Sequence, residues 1–101
     1  MKIYISGKIS GLDKDEYEFR FKMARQRVFQ ETDCFLEDII NPLEIKPFLG
    51  IKCWLCYMIK DIYYLRKCTH IAMQKNWIDS RGSVMEFFFA KFIFKLKVIY
   101  L

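Results

Sequence analysis

The sequence predicts an α/β fold, a three-layer α/β/α arrangement with a small parallel sheet of about four strands. Three observations predict it. Short apolar runs alternate with longer segments of helical period, in the order β-α-β-α-β-α-β. Such alternation builds a parallel sheet with helices on both faces. The first three runs each end in residues that turn the chain: Ser6-Gly7, Asn41-Pro42 and the polar stretch Asn76–Gly82. And 101 residues, with four Gly and two Pro, suit one domain without linkers.

Lys2 to Ser6 alternates and reads as the first strand. Gly7-Lys8-Ile9-Ser10-Gly11 is the loop that leaves it. Asp13-x-x-Glu16 has the form of a capping box, with acids gathered where a helix N-terminus favours them. Tyr17, Phe21, Ala24 and Val28 then recur at helical spacing, which predicts an amphipathic helix to about Glu31. Phe35 to Ile40 reads as a second strand, and residues 43–50 as a loop containing Pro47 and Gly50. A second helix is expected from Ile51 to about Lys67, carrying Trp54, Met58, Asp61, Ile62 and Leu65. His70 to Met73 is a third strand, Asn76 to Gly82 a loop, Ser83 to about Phe94 a third helix, and Lys97 to Tyr100 a last strand.

Composition narrows the function. The net charge is +5, but Lys and Arg alternate with acids and no run of five like charges occurs. Lys91, Lys95 and Lys97 come nearest to a basic stripe and read as a solvated helix face, so no nucleic-acid partner is expected. The stretch Val84–Leu101 is apolar, yet Glu86, Lys91, Lys95 and Lys97 interrupt it, so no membrane span is expected. No secretory signal precedes the first strand. The cysteines, Cys34, Cys53, Cys56 and Cys68, include one C-x-x-C, but a zinc ribbon needs a second close pair. A thioredoxin-type pair usually follows a Trp, whereas Trp54 lies inside this one. Free thiols acting as small core hydrophobes are the reading adopted, and with them a cytoplasmic location. Aromatic residues make up 18% of the chain, more than so short a domain buries with ease. A homodimer or higher homo-oligomer is the simplest use for the surplus.

Ligands of such folds sit at the carboxyl ends of the strands, where the loops after Ser6, Ile40 and Met73 should converge. Three features fall there. The loop Gly7–Gly11 offers backbone N–H groups to an anion, with Lys8 and Ser10 as further donors, or is an ordinary turn. Glu86 falls in the first turn of a helix opened by Gly82 and Ser83, either aimed at the strand ends or serving as a capping acid. Asp61 interrupts an apolar helical stretch, either as a second site carboxylate or as a solvent-facing acid paired with Lys60. Two carboxylates in one cleft can divide the roles of nucleophile and proton donor, as glycosidic chemistry requires.

These residues carry a resemblance. The opening Tyr4-Ile5-Ser6-Gly7, Asn41-Pro42, the group Trp54, Tyr57, Met58 and Asp61, then Leu65-x-x-Cys68, and Trp77-x-x-Ser80-x-Gly82-x-x-x-Glu86-x-x-x-Ala90 together resemble a small bacterial and phage domain of unknown function. That family is related to nucleoside 2-deoxyribosyltransferases, and the resemblance spans essentially the whole chain as one such domain, residues 1–101. It implies a flavodoxin-like fold and cleavage or transfer of the N-glycosidic bond of 2′-deoxynucleosides or their 5′-monophosphates. Glu86 stands where the relatives have their nucleophile, Asp61 where an Asp supplies or positions the proton, and Tyr4 where a Tyr orients the nucleophile. Ser80 resembles the phosphate-binding Ser of the deoxynucleoside 5′-monophosphate N-glycosidases, and Gly7-Lys8-Ile9-Ser10-Gly11 resembles their first loop. Gly7, Lys8, Ser10, Ser80, Arg81 and Gly82 are thus the expected phosphate-binding set. The implied partner is a small nucleoside or nucleotide, in a site that a neighbouring subunit commonly completes, with no cofactor and no metal. Thr69-His70 departs from the family, which typically has an Asp after the Cys. A catalytically inactive nucleotide-binding or homo-oligomeric interaction module is the alternative.

Overall fold

A computed structural model describes residues 1–46 and 53–101. The strands are β1 (Ile3–Ser6), β2 (Ile39–Ile40), β3 (His70–Met73) and β4 (Lys97–Tyr100), and the helices are α1 (Lys14–Glu31), α2 (Trp54–Leu65) and α3 (Arg81–Phe88). The strands form one parallel sheet in the order β2-β1-β3-β4. Ile3 pairs with His70 and Ser6 with Met73, so β1 and β3 are in register along their whole length.

The sheet is covered on both faces, as the alternation predicts. Successive strand residues point to opposite sides. Ile3, Ile5 and Ala72 pack with Phe21, Ala24 and Val28 of α1. Tyr4, Ile71 and Met73 pack on the other face with Leu65 and Ala90, below α2 and α3. A strand buried on both faces reads as a continuous apolar run, and all four residues of β1 are buried.

Several elements differ from the sequence reading. The second strand shrinks to two residues: Leu36–Asp38 is a 3-10 turn, closed by Asp38 N–H to Phe35 O at 2.9 Å. Phe35 and Leu36 are exposed, so no burial holds them extended, and Arg25 caps the turn by donating to Leu36 O and Ile39 O. Asp13 is the N-cap of α1 by position, but its side chain makes no capping hydrogen bond, and Glu16 pairs with Arg20 one turn on instead. The polar segment after β3 contains a 3-10 turn, Trp77–Asp79, and α3 starts at Arg81, two residues before the expected Ser83. The helix continues past Phe88 as one π-turn, Phe89–Ile93, and reaches β4 through Lys95 at φ 57°. The expected loop residues 47–50 and the helix start at Ile51 lie outside the described residues.

The cysteines divide. Cys34 and Cys68 are buried in the core, as expected. Cys53 is exposed and Cys56 half-buried, so these two are not core residues. Cys53 is the N-cap of α2 and Cys56 lies in its first turn. Lys91, Lys95 and Lys97 are exposed, though Lys91 alone of them is in a helical turn. Among the described residues no helix is long and apolar enough to cross a membrane.

Candidate active site

Tyr4 and Ser6 are two residues apart on β1 and so face the same side of the sheet. That side is covered by α3, and both hydroxyls reach one carboxylate. Tyr4 donates to Glu86 Oε2 at 2.5 Å, and Ser6 donates to Glu86 Oε1 at 2.8 Å. Each oxygen of Glu86 therefore has its own donor. Glu86 is the sixth residue of α3, because the helix begins at Arg81. It lies beyond the first turn, where the helix dipole acts on side chains. With 5% exposure and both oxygens bound to β1, it is a buried group of the sheet–helix interface and not a capping acid.

Asp61 of α2 completes the group. Its carboxylate is close enough to Glu86 and Tyr4 to act on the ionisation of both. Its own charge is met by Lys60, whose Nζ lies 3.0 Å from Asp61 Oδ1. Lys60 is buried and donates to Pro42 O at 2.9 Å and Ile45 O at 3.0 Å. The ammonium is anchored by the turn after β2, and its contact with Asp61 is an ion pair that lacks hydrogen-bond alignment, which leaves Oδ1 without a hydrogen-bond partner. Asp61 is thus paired with Lys60, but inside the protein and not facing solvent.

Burial sets the electrostatics. Desolvation, and after it the charge of Asp61, raises Glu86 from 4.5 to about 8, against the opposing pull of the Tyr4 and Ser6 hydroxyls. Asp61 is also pushed up, by desolvation first, while Lys60 holds it down. Tyr4 is raised well above the ordinary phenol range by burial and by the two acids, so it remains a neutral donor. With Glu86 raised to about 8 and Lys60 opposing the rise of Asp61, the pair as a unit retains a proton near neutral pH.

The remaining site residues lie on the loop after β1 and at the start of α3. Gly7 follows β1 directly, and a Cβ there would lie 2.5 Å from the Gln74 side chain. The Lys8 main-chain N–H donates to Asn76 Oδ1 at 3.2 Å, and Gln74 N–H donates to Ser6 O, so the loops after β1 and β3 meet as expected. Ser80 is the N-cap of α3 and accepts from the Ser83 N–H at 3.2 Å. Gly82 packs near Met58, a built Cβ lying 3.4 Å from its sulfur. Arg81 is exposed and stacks over the Trp54 ring, 4.4 Å from its centroid. Ser10 is exposed in the first loop. Thr69 lies at the other end of the strands, where it donates to Lys2 O. A groove of about 460 Å³ runs between α1 and the loop after β3, past Gln74 and Asn76, and does not include Glu86, Asp61 or Tyr4.

The structure thus brings Tyr4, Asp61 and Glu86 together, with Gly7 and Lys8 on the loop after β1 and Ser80 and Gly82 at the start of α3, the helix that carries Glu86. Ser6 is the site residue that sequence reasoning missed, although its period-2 relation to Tyr4 carries the signal. Burial of Lys60 had no signal, because the carbonyls that hold it come from another loop. Among the described residues no group of three or more His, Cys, Asp or Glu is placed to hold a metal ion.

The family described as Domain of unknown function (DUF4406) matches residues 1–100. The chain belongs to that family. No curated protein and no solved structure matches it. In this DUF4406 chain the match extends from before β1 to the last residue of β4, so every residue of the Tyr4–Asp61–Glu86 group lies within the family domain.

Proposed function

We propose that this DUF4406 protein cleaves or transfers the N-glycosidic bond of a 2′-deoxynucleoside or its 5′-monophosphate, with Glu86 as nucleophile. The observation that carries the reading is the buried pair of carboxyl groups, each Glu86 oxygen held by its own hydroxyl, with burial raising Glu86 so that it retains a proton near neutral pH. The reaction needs that inventory. The departing base takes up one proton, and the sugar carbon needs one carboxylate. When the proton of the pair passes to the base through Asp61, Glu86 is left ionised. Its oxygen then bonds to the anomeric carbon as the bond to the base breaks. Water or a second base resolves the glycosyl ester, and the proton it releases restores the pair.

Tyr4 and Ser6 hold the carboxylate in one orientation, and Lys60 opposes the protonation of Asp61. A 5′-phosphate would meet the first loop through Gly7, Lys8 and Ser10, and the start of α3 through Ser80, Arg81 and Gly82. A second copy of the chain is the expected partner, through exposed aromatic side chains such as Phe88 and Phe92. The test is chromatographic detection of free base after incubation with each deoxynucleoside and its monophosphate, beside Glu86→Gln. Release by the unmutated protein and its loss in the variant support the reading. A nucleotide that raises the melting temperature without release of base indicates a binding module instead.

A further inference from the structure

We propose that Cys53 and Cys56 are a redox-active dithiol that exchanges with small disulfides. The site is independent of the carboxylate pair. Cys53 is the N-cap of α2 and is exposed, and Cys56 is half-buried in the first turn. The Cys53 Sγ accepts from the Cys56 backbone N–H at 3.3 Å, as a capping hydroxyl would. One sulfur is thereby held beside the backbone of the other cysteine. The two thiols differ in ease of ionisation. The hydrogen bond from Cys56 and the backbone N–H groups of Cys56 and Leu55 lower Cys53, while Cys56 is raised as the donor. The other two cysteines lack this setting: burial raises Cys34, and raises Cys68 to about 11. An accessible thiol of eased ionisation at a helix start, with a resolving thiol one turn on, is the arrangement that exchange chemistry uses.

The exchange balances as follows. The Cys53 thiolate attacks a small disulfide such as oxidised glutathione, forms a mixed disulfide and displaces one thiolate. The Cys56 thiol, losing its proton to solvent, attacks Cys53 Sγ and displaces the second. The protein dithiol is oxidised to a disulfide, and one small disulfide is reduced to two thiols. Closing this bond would tie the N-cap of α2 to its first turn, on the helix that carries Lys60 and Asp61.

The test equilibrates the full-length protein in glutathione buffers of increasing oxidised fraction, quenches with acid and maps the cysteines by mass after alkylation. The expected product is an intramolecular Cys53–Cys56 disulfide, two hydrogens lighter and reversed by dithiothreitol, with Cys34 and Cys68 still thiols. Under reducing conditions Cys53 should alkylate about tenfold or more faster than Cys34 at neutral pH. Cys56→Ser should stop at glutathione bound to Cys53, and Cys53→Ser should leave Cys56 reduced. A mixed disulfide that persists in the unmutated protein, a cross-link between chains, or four thiols unchanged across the series would each overturn the proposal. Base release plays no part in any of these readouts, so they stand or fall apart from the N-glycosidic reading.

Discussion

The Tyr4 hydroxyl and the Glu86 carboxylate meet at 2.5 Å across 82 residues of sequence. Tyr4 belongs to the central strand and Glu86 to the helix above it. Their contact ties the first element of the chain to the last helix, in the layer where Asp61 also arrives from α2.

Glu86→Gln keeps the volume and one acceptor of the side chain but removes the attacking oxygen. Base release should fall by about ten-thousand-fold or more, a loss of the order seen when enzymes of this kind lose a nucleophile. The circular dichroism spectrum should be unchanged. A variant that retains a tenth of the rate would remove Glu86 from the role assigned to it.

Stability should depend on pH with a known sign. Glu86 is raised from 4.5 to about 8 on folding, so between these values the folded chain holds a proton that the unfolded chain has lost. This contribution is full below pH 4.5 and declines as pH rises through that window, at about 1.4 kcal/mol per pH unit for one proton. Urea midpoints from pH 5 to 8 should show a decline in the unmutated protein that is markedly shallower in Glu86→Gln. Parallel slopes would mean that Glu86 does not carry the proton.

The rate should fall as pH rises through about 8, because the pair then has no proton for the departing base. Tyr4→Phe removes a hydroxyl that lowers Glu86, so the falling limb should move to higher pH. The same variant leaves Oε2 without its donor, at a cost of about 1–3 kcal/mol in stability. It should lower kcat more than it changes KM, since Tyr4 acts through Glu86. An unmoved pH profile would reduce Tyr4 to a packing residue.

Lys60→Met deprives Asp61 of its buried counter-charge and Pro42 O and Ile45 O of their donor. Removing one partner of a buried ion pair costs about 3 kcal/mol. The variant should raise Asp61 further, since Lys60 is what holds it down. Chemical denaturation measures the first effect and carboxyl titration by NMR the second. A loss under about 1 kcal/mol, the range of exposed pairs, would show that the pair is solvated.

Legibility in the sequence followed burial. β1 was plain because all four residues are buried and end at a turn, and β3, with three buried residues, follows the same logic. The stretch Phe35–Ile40 was misread because its apolar residues look like a strand, yet Phe35 is 70% exposed and a 3-10 turn closes instead. Asp61 was recognisable as an acid in apolar surroundings, and Glu86 and Tyr4 through the resemblance. The depth of Glu86 in α3 was not, because Ser80 caps the helix two residues earlier than Gly82 and Ser83 suggest. Lys60 illustrates the limit most clearly. Nothing along α2 marks that lysine as buried, since its partners are carbonyls of a distant turn.

The register of β1 against β3 carries a dynamic consequence. Gln74 N–H donates to Ser6 O at 2.9 Å, just past the last paired residues of the two central strands, and the Ser6 side chain holds Glu86. Amides at the centre of a sheet exchange with solvent through opening of the whole domain and not through loop fraying. The two hydroxyls that hold Glu86 therefore stand on a strand expected to open last, while Glu86 and Asp61 themselves ride on the covering helices.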